Sequence, residues 1–130
     1  VAFQDDVIVG FQTLHNKRKK ILKIDVGCVD VYRRGSIHGL VNNQLTKVSK
    51  KWAKTHKYSV LILEGLPSAE SSWKRQGFRR LEQLNNLNFI INNKTITKTN
   101  KNNMLSKIDN FNKTVNTCKI NNGCLMFSII

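Results

Sequence analysis

The sequence predicts an α/β (α+β) domain: a mixed β-sheet in which a β-hairpin is followed by a β-α-β-α succession. Three observations lead there. Residues 7–31 alternate apolar and polar with one basic interruption, residues 36–56 switch to steps of three and four, and residues 59–66 return to a nearly continuous apolar run. Two alternating strands joined by a short turn pair antiparallel. A strand, a helix and another strand make a right-handed parallel crossover.

Taken in order, "VIVGFQTLH" (residues 7–15) is the first strand and "HNKRKK" a basic turn. In "ILKIDVGCVDV" (21–31), Leu22, Ile24, Val26 and Cys28 share one face, and Val29 and Val31 the other. Gly27 inside that strand signals a bulge or a close backbone approach. Ile37, Val41, Leu45, Val48 and Trp52 recur at helical steps, so they form the sheet-facing stripe, with Trp52 in the core. Ser36 is a fair N-cap, and the basic residues of "THKY" suit the helix end. "SVLILEGL" (59–66) reads as a buried strand. Pro67 and Ser68 open a second helix, "AESSWKRQ", which Gly77 closes.

Past residue 84 the chain turns rich in Asn, Lys and Thr. Such tracts rarely bury enough apolar surface to order themselves. "NFII" with "KTITK" forms a β-type patch, and "CLMFSII" an edge strand or a loosely attached tail. The expected division is a domain over 1–108 and an Asn/Lys-rich tail over 109–130.

The 130 residues suit one domain. No apolar run reaches the roughly 18 residues that cross a membrane, so no membrane partner is expected. "VAFQDDVIVGF" carries acids where a secretory leader carries bases, and the chain begins without Met, as a processed or partial chain does. The three cysteines, Cys28, Cys118 and Cys124, are widely spaced. No metal site is expected, and reduced thiols in an intracellular setting, cytoplasmic or nuclear, fit best. A net charge of +14 suits an anionic partner; lysines solvated among asparagines explain it equally. Nucleic acid stays open on charge alone, because the "NKRKK" run has no interleaved aromatics for base stacking.

The stretch "YRRGSIHGLVNNQL" (32–45) places two arginines and a Gly-Ser pair between a strand end and a helix start. Free N–H groups and the helix dipole there favour an anion. A capped helix with solvated arginines is the alternative. "VDVYRRGSIHGLVNNQL" resembles the acetyl-CoA-binding turn of the GCN5-related N-acetyltransferases, written Arg/Gln-x-x-Gly-x-Gly/Ala. Arg33 takes the first position, and Ser36 and His38 stand where glycines are usual. Downstream, "AESSWKRQGF" from Ala69 to Phe78 is similar to the family's Ala-x-x-x-Tyr/Phe-x-x-x-Gly-Phe, and "WKRQGF" comes close to the histone-acetylating branch. The resemblance covers roughly residues 3–82.

The resemblance implies an acyl-CoA N-acyltransferase-like fold lacking its first elements, with acetyl-CoA as cosubstrate and an amine acceptor, a protein lysine or N-terminus. The strands 21–31 and 59–66 would splay to admit the pantetheine arm. Backbone groups near Val29 and Val31 would bond its amides, and N–H groups from Arg34 through Gly35, Ser36 and His38 to Gly39 would hold the pyrophosphate, with Arg33 adding charge. Trp73 would line the channel, and Asp25 or Glu64 would act as base. Trp73 stands near the position of the family's acidic tyrosine, with Ser72 beside it, and Leu66 replaces a favoured Asn. Those departures keep a second reading open: a catalytically inactive basic binding module of the same fold.

Overall fold

The computed structural model describes residues 1–30, 36–81, 84–92, 97–111 and 123–130, with side chains for all but 36–39, 89 and 111. Six strands form one sheet: β1 (Ala2–Gln4), β2 (Val7–Arg18), β3 (Ile21–Val29), β4 (Val60–Gly65), β5 (Arg79–Arg80) and β6 (Cys124–Ile129). Their order is β1-β2-β3-β4-β6-β5. Only β3 and β4 run parallel; the other neighbours are antiparallel. The helices are α1 (Ser36–Thr55), α2 (Glu70–Arg75), α3 (Asn88–Ile91) and α4 (Lys98–Phe111). The mixed sheet and the hairpin-plus-βαβα order are those the residue pattern predicts.

Two tight turns set the hairpins. Asp5 and Asp6 have φ of 50° and 63°, the left-handed values a two-residue hairpin loop needs. Lys20, with φ of 63°, is the left-handed residue of the turn between β2 and β3. The basic stretch is therefore mostly strand: β2 runs to Arg18, paired with Ile21, and only Lys19 and Lys20 turn. The Lys20 carbonyl accepts from the N–H of Ser59 and Val60, tying the hairpin to the start of β4.

In β3 the alternation breaks where the sequence places it regular. Thr13 pairs with Val26 and Leu14 with Ile24, leaving Asp25 as the extra residue of a bulge. Gly27 pairs regularly with Gln12. The bulge reverses the facing of the residues beyond it: Leu22 and Ile24 are buried, whereas Val26 and Cys28 are exposed.

The stripe of α1 is rotated from the one the spacing suggests. Leu45 is buried as expected, but Val48 and Trp52 are 65% and 42% exposed. Thr46, Ser49 and Ala53 face the sheet instead. The cause is Gln12 on β2. Its Nε2 donates to Asn42 Oδ1 (3.1 Å) and Thr46 Oγ1 (3.0 Å), and Ser49 Oγ donates to its Oε1 (2.8 Å). Close approach is allowed at Gly10, where a Cβ would lie 3.0 Å from Val41 Cγ1. Trp52 stacks outside on His56, ring centroids 3.8 Å apart.

The Asn/Lys-rich half is more ordered than its composition suggests. "NFII" is helical, not a strand, and buries Ile90 beside Leu87. "KTNKNNMLSKIDNF" forms α4, whose Met104 and Ile108, one turn apart, enter the core. The segment read as an edge strand or tail is interior: β6 pairs with β4 along its whole length and with β5 on its other side. Its backbone is paired along the whole β4 edge and around Met126 and Phe127 on the β5 edge, and those two residues are fully buried. Cys124 is disulfide-bonded, against the expectation of reduced thiols, while Cys28 is free and exposed.

Two clusters cover the sheet faces. Ile21, Val60, Ile62 and Phe127 meet Leu87, Ile90 and Ile108 on one. Leu22, Ile24, Leu61 and Met126 meet Ala53 and Phe78 on the other, where α1 and α2 frame the site.

Candidate active site

The site begins with a broken ladder. β3 and β4 pair from Ile21↔Val60 to Ile24↔Leu63. Beyond that, the Asp25 bulge turns β3 to follow β2 out to Val29, while β4 stays on β6 through Glu64 and Gly65. The strands part, and a cleft of about 590 Å³ opens between their carboxyl ends. Asp25, Cys28 and Val29 line one side. Glu64, Gly65, Ser72 and Trp73 line the other, and Asn42 of α1 borders it.

α2 is fixed firmly over β4. Gly65 is where it comes closest, since a Cβ there would meet the Trp73 ring at 3.0 Å. Trp73 packs edge-on against Phe78, centroids 5.4 Å apart. The chain leaves α2 through Gly77, whose φ of 91° is the left-handed helix stop expected of it. Glu70 then anchors the helix. Arg80 Nε donates to its Oε1, Arg80 Nη2 to its Oε2 (2.6 Å), and Lys74 Nζ lies 3.1 Å from Oε1. The hydrogen bonds from Arg80 first, then those from Lys74 with the charge of both cations, pull the Glu70 carboxyl down to about 2. Lys50 joins the two helices by donating to the Gln76 carbonyl at 2.6 Å and lies over the Phe78 ring. Burial, and then the charge of Lys101, lowers its pKa.

The expected site residues fall into three groups. Asp25, Glu64, Val29 and Trp73 come together in the cleft. Asp25 and Glu64 flank one ammonium, at 3.6 and 3.7 Å from Lys23 Nζ. Ser36, His38 and Gly39 form the first turn of α1, where the described part is the helical backbone alone. Val31, Arg33, Arg34 and Gly35 lie outside the described residues.

Asn42 and the Gln12 bonds that hold it escape a reading of the sequence alone. Their signal is present: Asn42, Thr46, Ser49 and Ala53 recur at steps of four, three and four, one residue on from the apolar stripe. A stripe of small and polar residues is easily passed over as solvent-facing.

The architecture has counterparts among solved structures. GCN5 of Tetrahymena superposes with a TM-score of 0.61 at 14% identity, over 100% of this chain and 66% of its own. A Lactobacillus plantarum protein provisionally named an N-acetyltransferase gives 0.60 at 13% identity, over 97% of this chain and 63% of its own. The chain thus spans a little under two thirds of each of these structures. The fold is the acyl-CoA N-acyltransferase-like one that the motifs suggest. No family model matches the chain, and no curated protein matches it in sequence.

Proposed function

We propose that this chain is an acetyl-CoA-dependent N-acetyltransferase acting on an amine, a protein lysine or N-terminus. The observation that carries the reading is the parting of β3 and β4 after Ile24 and Leu63. It leaves a cleft of about 590 Å³ bordered by Asn42 of α1, in a fold shared with GCN5 and an N-acetyltransferase-named protein.

The residues present fit such a cosubstrate. Separated strand ends offer backbone groups to an extended, amide-bearing arm, and Trp73 gives it an apolar wall. The N–H groups from Arg34 to Gly39 would hold its phosphates at a helix start. Acetyl-CoA supplies the activated acetyl group. The chain's part is positioning and charge: backbone N–H near Val29 would polarise the thioester carbonyl, with the amine aligned against it. Asp25 or Glu64, through water, would take the amine proton; Lys23 Nζ lies 3.6 and 3.7 Å from the two carboxylates. An indole cannot act as an acid near neutral pH, so Trp73 cannot protonate the leaving sulfur. Ser72 or water would relay that proton. An intracellular setting belongs to the proposal, and the disulfide at Cys124 is the observation that weighs against it.

The test is binding and turnover together. CoA should raise the unfolding midpoint, because a ligand of the native state alone must do so. Acetyl transfer to a lysine peptide should fall in Asp25→Asn or Glu64→Gln. A second reading, a basic binding module, is favoured by a second groove of about 590 Å³ bordered by Lys74, Arg79, Arg80 and Lys101, with Asp109 paired to Arg79. No midpoint shift with CoA, beside a salt-sensitive shift with an acidic polymer, would establish that reading instead.

A further inference from the structure

The geometry points to Asn42 as a hydrogen-bond donor facing the cleft, held by Gln12 so that its Nδ2 receives a carbonyl oxygen of the ligand's amide-bearing arm. This rests on the proposed reading of the cleft as an acetyl-CoA site and adds a recognition element to it.

Single protons fix the orientation. Thr46 has one hydroxyl proton, and the Asn42 backbone carbonyl takes it at 2.9 Å. A carbonyl can only accept, so Thr46 Oγ1 can only accept from Gln12, 3.0 Å away. The Gln12 atom there must be the NH2 nitrogen. Its carboxamide oxygen then takes the Ser49 proton at 2.8 Å. The second Nε2 proton is aimed at Asn42, 3.1 Å away, so the Asn42 atom there must be Oδ1. Both ends of each bond are thereby fixed, and Nδ2 is left as the other arm of the Asn42 carboxamide. None of the described residues accepts a hydrogen bond from it.

Asn42 borders the cleft, and Gln12 does not. Six residues past Ser36, at about 1.5 Å per residue, Asn42 lies about 9 Å inward from the helix start. With phosphates held at the first turn and the arm leading inward along the cleft, an amide carbonyl would be the acceptor presented to Asn42. A donor there accepts a carbonyl and repels another donor, so the relay of proton positions that begins at Thr46 ends as a choice of ligand chemistry.

Calorimetry with CoA, with pantetheine, which lacks the nucleotide, and with ADP, which lacks the arm, tests this. Asn42→Asp replaces the donor with an acceptor of the same shape. It should weaken CoA and pantetheine at least about tenfold and leave ADP within about twofold of wild type. Gln12→Glu removes both Nε2 protons, so Thr46 and Asn42 must donate to residue 12 and the Asn42 oxygen turns to the cleft. It should reproduce the same selective loss without touching the ligand. Melting curves show whether each variant folds, and Asn42→Asp decides alone if the carboxylate at position 12 unfolds the chain. Equal loss for all three ligands, or none while wild type binds CoA, overturns the role of Asn42 and leaves the cleft reading intact. Wild type binding neither CoA nor pantetheine overturns both.

Discussion

The two faces of the sheet are held by different physics. Under α3 and α4 the contact is carbon against carbon: Leu87, Ile90 and Ile108, all at 0% exposure, close over Ile21, Val60 and Phe127. Under α1 and α2 an apolar cluster is crossed by directional bonds, the Gln12 network on one side of the cleft and the Glu70–Arg80 pair on the other. Apolar burial scales with area and is non-directional. Hydrogen-bond networks are directional. One face therefore supplies stability, and the other fixes the rotation of the two helices that wall the cleft.

That division predicts where substitutions will be felt. The largest effect belongs to the apolar face. Phe127→Ala should cost about 3–5 kcal/mol of stability in denaturant titration, because β6 is interior and the ring is fully buried. A cost below about 1 kcal/mol would return residues 124–130 to the role of a loose tail.

Next comes the anchor of α2. The Glu70 carboxyl is lowered from 4.5 to about 2, so its ionised form is the one the fold favours. Its contribution is complete above pH 4.5 and is lost as pH falls toward 2. Glu70→Gln should cost about 2–3 kcal/mol at pH 7. That cost should shrink in acid, where wild type loses the same bonds. A pH-independent cost would mean that the shape of the side chain, rather than its charge, holds α2 to β5.

Legibility from sequence divides along the same line. The hairpin, the crossover, the Gly77 stop and the motif from Ala69 to Phe78 are readable, because period and turn chemistry are local. The rotation of α1 is not. Its apolar stripe, Val41, Leu45, Val48 and Trp52, is regular, and only a partner thirty residues upstream, Gln12, selects the neighbouring stripe. Because glycine marks bulges often and aspartate seldom, the residue pattern marks Gly27 for a bulge or a close backbone approach, whereas the bulge of β3 lies two residues away at Asp25. The helix "KTNKNNMLSKIDNF" and the strand "CLMFSI" are undervalued by composition averages, which hide Met104, Ile108 and Phe127, few in number but all buried. Of the residues lining the cleft, Asp25, Glu64, Val29 and Trp73 are those the resemblance names, and Asn42 escapes a reading of the sequence because its bond to Gln12 crosses between elements.

A third prediction sharpens the seam between α1 and the sheet. Ala53 is 0% exposed. Ala53→Leu should overpack the joint for about 1–3 kcal/mol, read as a lower chemical-denaturation midpoint. An unchanged midpoint would place residue 53 on the solvent side.

The smallest effect separates the two rotations of α1 directly. The spacing of the stripe puts Trp52 in the core, where truncation would cost about 3–5 kcal/mol. The structure leaves Trp52 42% exposed, its ring stacked on His56 at 3.8 Å and facing Tyr58 at 6.1 Å. Such a ring loses contact on one side only, and exposed aromatic pairs contribute about 0.5–1.5 kcal/mol. Trp52→Ala should therefore cost about 1 kcal/mol, and its fluorescence in the wild type should be quenched by soluble iodide. A core-sized cost with a shielded indole would turn α1 by one residue, carry Thr46 and Ser49 away from Gln12, and remove the orientation argued for Asn42.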